Sequence, residues 1–254
     1  MRNLKVMMAY RGTAYHGFQR QDNALTVQEV VERYVSKVLN HKCIINGCSR
    51  TDAGVHANNY CFSVLTESNI PAKGFVRGVN GELPDDISIL SCEDAPLDFH
   101  ARFSCRAKEY IYLIHNSESK NPFTTDLEYH YRRPFDAELV SYAAKIFVGT
   151  HDFAGFCSNY DGKQNTIRTI EKFDIVINGE SVKMLVKGDG FLYNMIRIIV
   201  GTLLSVNEGK IKPDDIDGII KSRNRLLAGK TAQSLRRETS LLVFPEALII
   251  RPET

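Results

Sequence analysis

The chain of 254 residues contains no tryptophan and only eight prolines. It also lacks any strong excess of charge: 32 Lys+Arg stand against 30 Asp+Glu, a formal net charge of +2. Net charge therefore does not identify a nucleic-acid binder, and the information lies in how charge is distributed. No apolar run approaches the roughly 20 residues that span a bilayer. The opening Met1-Arg2-Asn3-Leu4-Lys5-Val6-Met7-Met8 is too short and too strand-like for a secretory signal, so a cytoplasmic protein with no membrane partner is expected. The six cysteines (Cys43, Cys48, Cys61, Cys92, Cys105, Cys157) include no Cys-x-x-Cys and no nearby His pair. That spacing supports neither a disulfide framework nor a zinc site. They read as small buried hydrophobes or incidental thiols, and no metal is expected.

What is present is ordinary for a globular chain, with 43% hydrophobic and 24% charged residues. The length suits one large domain or two modest ones with a real core. Basic residues gather in Arg102-Phe103-Ser104-Cys105-Arg106-Ala107-Lys108, in Arg132-Arg133, from Lys221 to Arg225 and in Arg236-Arg237. Such clusters are usually solvated faces; several on one side of a cleft would make the phosphate-binding stripe of an RNA enzyme.

The order of elements is informative. Lys5 to Tyr10 reads as a strand, followed by a loop containing Gly12 and Gly17. Thr26-Val27-Gln28-Glu29 fits a capping box, and apolar residues at 27, 30, 31, 34, 35, 38 and 39 continue at helical spacing. Tyr60 to Val64 has strand chemistry, Pro71 opens a shorter helix ending near Asn80-Gly81, and Ile87 to Leu90 is another strand. This succession is the ferredoxin-like split pattern. It begins again at Tyr110 to Ile114. A polar loop over 116–133 leads to a helix over 136–147 and a hairpin of Ile167 to Asn178 with Val182 to Lys187. A very apolar helix covers Leu192 to Val206, Pro213 starts another, and Leu241 to Phe244 with Ala247 to Ile250 offer closing strands. The fold class expected is α+β: two ferredoxin-like halves, 1–105 and 106–254, with the site in a cleft between them.

One stretch organises the rest. Gly47-Cys48-Ser49-Arg50-Thr51-Asp52-Ala53-Gly54-Val55-His56-Ala57 sets an arginine and an aspartate two residues apart in a glycine-punctuated turn. Asp and Gly are common turn formers, and spacing alone favours that plain reading. The string from Arg50 to Ala57, however, resembles the signature of the TruA-type tRNA pseudouridine synthase family. Three further stretches agree in order: Phe99 to Tyr112, Gly149 to Phe156, and Gly190 to Gly201. The resemblance as a whole extends over roughly residues 3 to 231.

The resemblance implies an enzyme that isomerises uridine to pseudouridine on the 3′ side of a tRNA anticodon stem-loop. It implies a homodimer with the tRNA lying across both subunits, one continuous antiparallel sheet with outer helices, and no cofactor. It makes Asp52 the catalytic carboxylate, acting as nucleophile or as base. Addition to the uracil ring and a glycal route through the ribose both fit. Arg50 takes the base-flipping role, filling space vacated by the extruded uridine. Tyr110 packs against the target base and is a candidate for proton transfer. Arg197 pairs with Asp52, an arrangement that would favour the ionised carboxylate. His100 and Arg102 are RNA-contacting groups. His151-Asp152 lacks a nucleophile context and is read as structural or RNA-contacting.

Two departures from the family pattern stand out. Ser49 occupies a position usually held by glycine. Thr231-Ala232 is followed by Gln233-Ser234-Leu235-Arg236-Arg237-Glu238-Thr239-Ser240, where the family has Ala-Pro and Gly-Leu. The altered tail sustains one alternative, a catalytically weak or altered-specificity relative that binds or folds RNA. An aspartic protease is a second, from Asp52-Ala53-Gly54, but it needs a second such turn and apolar residues before the aspartate.

Overall fold

The computed structural model describes residues 1–125, 127–160, 162, 165–232 and, for the backbone, 241–245. The chain divides into two compact units that break after Arg106. The first runs β1 (Arg2–Tyr10), α1 (Val27–Leu39), β2 (Asn46–Gly47), β3 (Ala57–Thr66), α2 (Ala72–Asn80) and β4 (Ile87–Ala95). Its antiparallel sheet has the order β2-β3-β1-β4, the ferredoxin-like arrangement. Leu4, Val6, Met8 and Tyr10 of β1 are buried, with Tyr60, Phe62 and Val64 of β3. Thr26 caps α1, its hydroxyl accepting from the Glu29 N–H at 3.4 Å. The Glu29 carboxylate meets Arg33 one turn on, at 3.3 Å. Val27, Val30, Val31, Val35 and Leu39 form the buried stripe of α1, as their spacing predicts.

The second unit runs β5 (Lys108–Asn116), β6 (Tyr129–Tyr131), α3 (Ala137–Lys145), β7 (Gly149–Asp152), β8 (Ile167–Asn178), β9 (Ser181–Gly188), α4 (Met195–Asn207) and α5 (Asp215–Ser222). Its strands order as β5-β9-β8-β7, and β6 pairs with β5 in parallel. Strand, helix, strand, strand, helix therefore recurs as β5-α3-β8-β9-α4. Asp136 caps α3, its side chain accepting from the Leu139 N–H at 3.0 Å. The helix α4 is buried almost all round, including Met195, Ile196, Ile199, Val200, Leu203 and Leu204. It starts at Met195, not Leu192, because Asn194 takes the left-handed conformation at φ 59°.

The strand β10 (Leu241–Pro245) is grouped with the first unit. The stretches 233–240 and 246–254 lie outside the described residues, so the altered tail and the strand expected at Ala247 to Ile250 do as well. Among the described residues no helix is long and apolar enough to cross a membrane.

Candidate active site

Asp52 sits in a tight turn between β2 and β3. The Val55 N–H donates to the Asp52 carbonyl at 3.2 Å, and Gly54 has φ 78°. A positive φ at that third position is what a type II turn asks of glycine. The turn is held by the loop after β1. Phe18 N–H donates to the Thr51 carbonyl at 3.2 Å, and Gly54 N–H to the Tyr15 carbonyl at 3.1 Å. A Cβ at Gly12 would run into the Val55 carbonyl, and one at Gly17 into the Thr51 carbonyl. The two loops thus touch backbone to backbone, which only glycine allows. Side chains complete the hold. The Tyr10 hydroxyl lies 3.0 Å from Thr51 Oγ1, and Gly12 N–H donates to His56 Nδ1 at 3.3 Å. The Tyr15 hydroxyl donates to Asp86 at 2.7 Å, and burial with that carboxylate pushes its pKa up. Asp52 itself is half-buried on this fixed frame.

Ser49 occupies its turn without a left-handed conformation; the only non-glycine residues with positive φ among those described are Asn40, Asn194 and Arg223. The Tyr60 hydroxyl bridges it, donating to the Ser49 carbonyl and accepting from its N–H at 3.3 Å.

Arg50, His100 and Arg102, 50 residues apart in sequence, line one pocket of about 190 Å³ with Phe18, Gln19, Gln28, Asn46 and Phe103. Arg50 and Arg102 are exposed and His100 is half-buried. The turn carrying the second pair is tied down. Ser104 N–H donates to the His100 carbonyl at 2.9 Å, Ala101 N–H to Ser63 Oγ at 3.3 Å, and Asn3 Nδ2 to the Phe99 carbonyl at 2.8 Å. Arg102 N–H donates to His100 Nδ1 at 3.2 Å, which leaves Nε2 to carry the proton of the neutral ring.

In the second unit Tyr110 lies on the buried face of β5 with Tyr112 and Ile114, edge-on to Phe191 at 4.8 Å between centroids. Arg197 leaves the first turn of α4. Its Nη1 donates to Asn194 Oδ1 at 2.9 Å and its Nε to the Ala232 carbonyl at 3.2 Å. Ala232 N–H returns to the Arg197 carbonyl at 2.9 Å. Burial pushes the Tyr112 hydroxyl up, with the Arg197 charge opposing, so arginine and tyrosine share one electrostatic neighbourhood. The stretch that ends at Ala232 is itself clasped to α4. Thr202 Oγ1 accepts from Gly229 N–H at 2.9 Å and donates to the Ile198 carbonyl at 2.8 Å. Arg225 donates to the Gly229 carbonyl at 3.0 Å and to Thr231 Oγ1 at 2.9 Å. A Cβ on Gly201 would run into the Lys230 carbonyl.

His151-Asp152 makes local bonds. Asp152 Oδ1 accepts from Ala154 N–H at 3.1 Å and its Oδ2 meets Arg223 at 2.7 Å, while His151 Nε2 lies 3.2 Å from the Val148 carbonyl. Sequence reasoning missed the positioning parts: Gly12, Gly17, Tyr60, Asn194 and the 225–232 stretch. Gly17 was visible as a loop glycine, but its opposing carbonyl belongs to a residue far along the chain. Among the described residues no group of three or more His, Cys, Asp or Glu could hold a metal.

A tRNA pseudouridine synthase family model matches residues 6–104 and 143–237. The chain belongs to that family of isomerases. It is 44% identical over 91% of its length to tRNA pseudouridine synthase A of Acetivibrio thermocellus, covering 95% of that protein. It is 38% identical over 98% of both chains to tRNA pseudouridine synthase A of Clostridium botulinum. Among solved structures, a Cbf5-Nop10-Gar1 complex aligns over 79% of this chain and 44% of its own, at 14% identity and a TM-score of 0.37.

Proposed function

We propose that this enzyme converts uridine to pseudouridine in the anticodon stem-loop of tRNA, with Asp52 as the catalytic carboxylate. The reaction breaks the bond from ribose C1′ to base N1 and forms one to C5; the C5 proton leaves and N1 ends protonated. Asp52 serves as nucleophile or base in that exchange. A stem uridine must first leave its stack, at a cost of a few kcal/mol. Arg50 fills the vacated space, and His100 and Arg102 hold the RNA backbone. Tyr110 packs on the extruded base and is the candidate for proton transfer; Arg197 pairs with Asp52, an arrangement that favours the charged carboxylate. The enzyme works as a cytoplasmic homodimer on which one tRNA spans both subunits.

The observation that carries this reading is the Asp52 turn. A carboxylate is fixed on a backbone-packed frame, two residues from an exposed arginine that shares a pocket with two more groups suited to RNA. The second reading, an RNA-binding or RNA-folding relative with weak catalysis, rests on the sequence after Ala232. One experiment separates them: pseudouridine mapping of unmodified tRNA transcripts treated with wild-type protein or Asp52→Ala. Conversion in the anticodon stem-loop by wild type, lost on the order of 10⁴-fold in Asp52→Ala with tRNA still bound, is expected. Retained conversion in the variant overturns the role of Asp52. No conversion by either favours the second reading.

A further inference from the structure

Phe103 is a large apolar ring left 79% exposed beside the pocket that Ser49 and Arg50 wall. The backbone that carries it is tied down. Its own N–H donates to the His100 carbonyl at 3.0 Å, and the turn around it carries the bonds of Ser104, Ala101 and Asn3 described above. The ring is flanked by the His100 imidazole, 4.4 Å away between centroids and tilted by 38°, and by the Arg102 guanidinium, 5.9 Å from its centroid. An aromatic face, an imidazole and a guanidinium plane held together are the components on which proteins stack unpaired bases.

We infer that Phe103 is a stacking platform that takes one unpaired nucleobase of the RNA substrate, a neighbour of the uridine being modified, into this pocket. The inference rests on the RNA-modifying reading and extends it to a base other than the target. Size agrees: about 190 Å³ falls below the roughly 300–1,000 Å³ of pockets for drug-sized ligands and suits a single ring system. The rim offers the Gln19 and Asn46 amides to a base edge and Arg50 to a phosphate. The surroundings suit a polyanion: the pocket lining carries Arg50, Arg102 and His100 and no carboxylate.

The test uses the full-length enzyme with Phe103→Ala, Phe103→Leu, Phe103→Tyr and Phe103→Trp. The exposed ring makes no core contact to lose, so thermal unfolding of all four should match wild type. On a tRNA transcript, Ala and Leu should raise KM roughly 5- to 150-fold, the range of a lost base–aromatic stack, with kcat nearly unchanged. Tyr and Trp should stay within about threefold of wild type. Affinity for a short single-stranded oligoribonucleotide should follow the same order, and that measurement stands even if no pseudouridine is formed. Leu equal to Phe would reduce the contact to simple apolar burial and overturn the inference. So would wild-type KM and affinity in all four variants, or a fall in kcat at constant KM. A change of sedimentation to a smaller species in Phe103→Ala would assign the ring to an interface between copies, again overturning it.

Discussion

Around Asp52 the first unit fixes a loop by packing backbone on backbone, with glycines at 12, 17 and 54 making the approach possible. Around Arg197 the second unit works differently. There an apolar helix is the fixed body, and Thr202 and Arg197 tie a passing stretch of chain to it through Gly229 and Ala232. The first construction is sensitive to added atoms, since a Cβ at Gly12 or Gly17 collides. The second admits no Cβ at Gly201 or Gly229 either, and it is also sensitive to removed atoms, since losing the Thr202 hydroxyl strands the buried Gly229 N–H. Both fix the backbone beside a charged residue; they differ in the element that anchors it, a second loop in the first unit and an apolar helix in the second.

The largest effect should come from Gly17→Ala, which enters φ 86° and drives a methyl into the Thr51 carbonyl. A loss of about 3 kcal/mol is expected in chemical denaturation, with pseudouridine formation falling alongside. Wild-type stability in this variant would break the comparison at its first term. Thr202→Val preserves shape but strands the Gly229 N–H and should cost about 2 kcal/mol by the same measurement. A neutral result there would mean that the clasp on α4 owes its hold to packing alone. Gly179→Ala, in the turn between β8 and β9, sharpens the first case: its φ is 57°, yet nothing lies within 4 Å of the added carbon. Only the conformational cost remains, about 1 kcal/mol. A loss as large as that of Gly17→Ala would show that sterics are not what separates the two.

The smallest effect concerns alkaline pH. Burial pushes the thiol of Cys61 up to about 12 and that of Cys92 up to about 11. Both folded values exceed the unfolded one, so their contribution is complete below about pH 8.5 and shrinks as pH rises toward those values. Urea midpoints should therefore decline above about pH 8.5. Cys61→Ala, though less stable at neutral pH, should show a flatter decline. An unchanged slope would remove Cys61 as a contributor.

Much of this was legible in the sequence where signals are local. The capping threonine of α1, the buried stripe of α1 and the apolar α4 follow from spacing, and the Asp52 turn from an eight-residue string. What escaped depends on distant partners. The three-residue strand β6 lies inside a polar loop, too short to show a period, and forms because Ile114 to Asn116 offer it a parallel edge. His151-Asp152, at the end of β7, reads from sequence as structural or RNA-contacting, and its bonds to Val148, Ala154 and Arg223 are visible only in the fold. The three residues of the Arg50 pocket were named one by one, but their meeting depends on the Ser63 and Asn3 bonds that hold the 99–104 turn in place. Phe103 was passed over because exposure cannot be read from a hydrophobic letter.

The clasp over α4 has a consequence for how this region opens. Residues 228–232 have no regular secondary structure, yet Gly229 and Ala232 give their amide hydrogens to Thr202 Oγ1 and the Arg197 carbonyl. Neither can exchange with solvent until the stretch lifts away from the helix. If their hydrogen exchange proves as slow as that of the α4 amides, the stretch and the helix open as one cooperative unit. Lifting the stretch also takes the Ala232 carbonyl away from the Arg197 side chain.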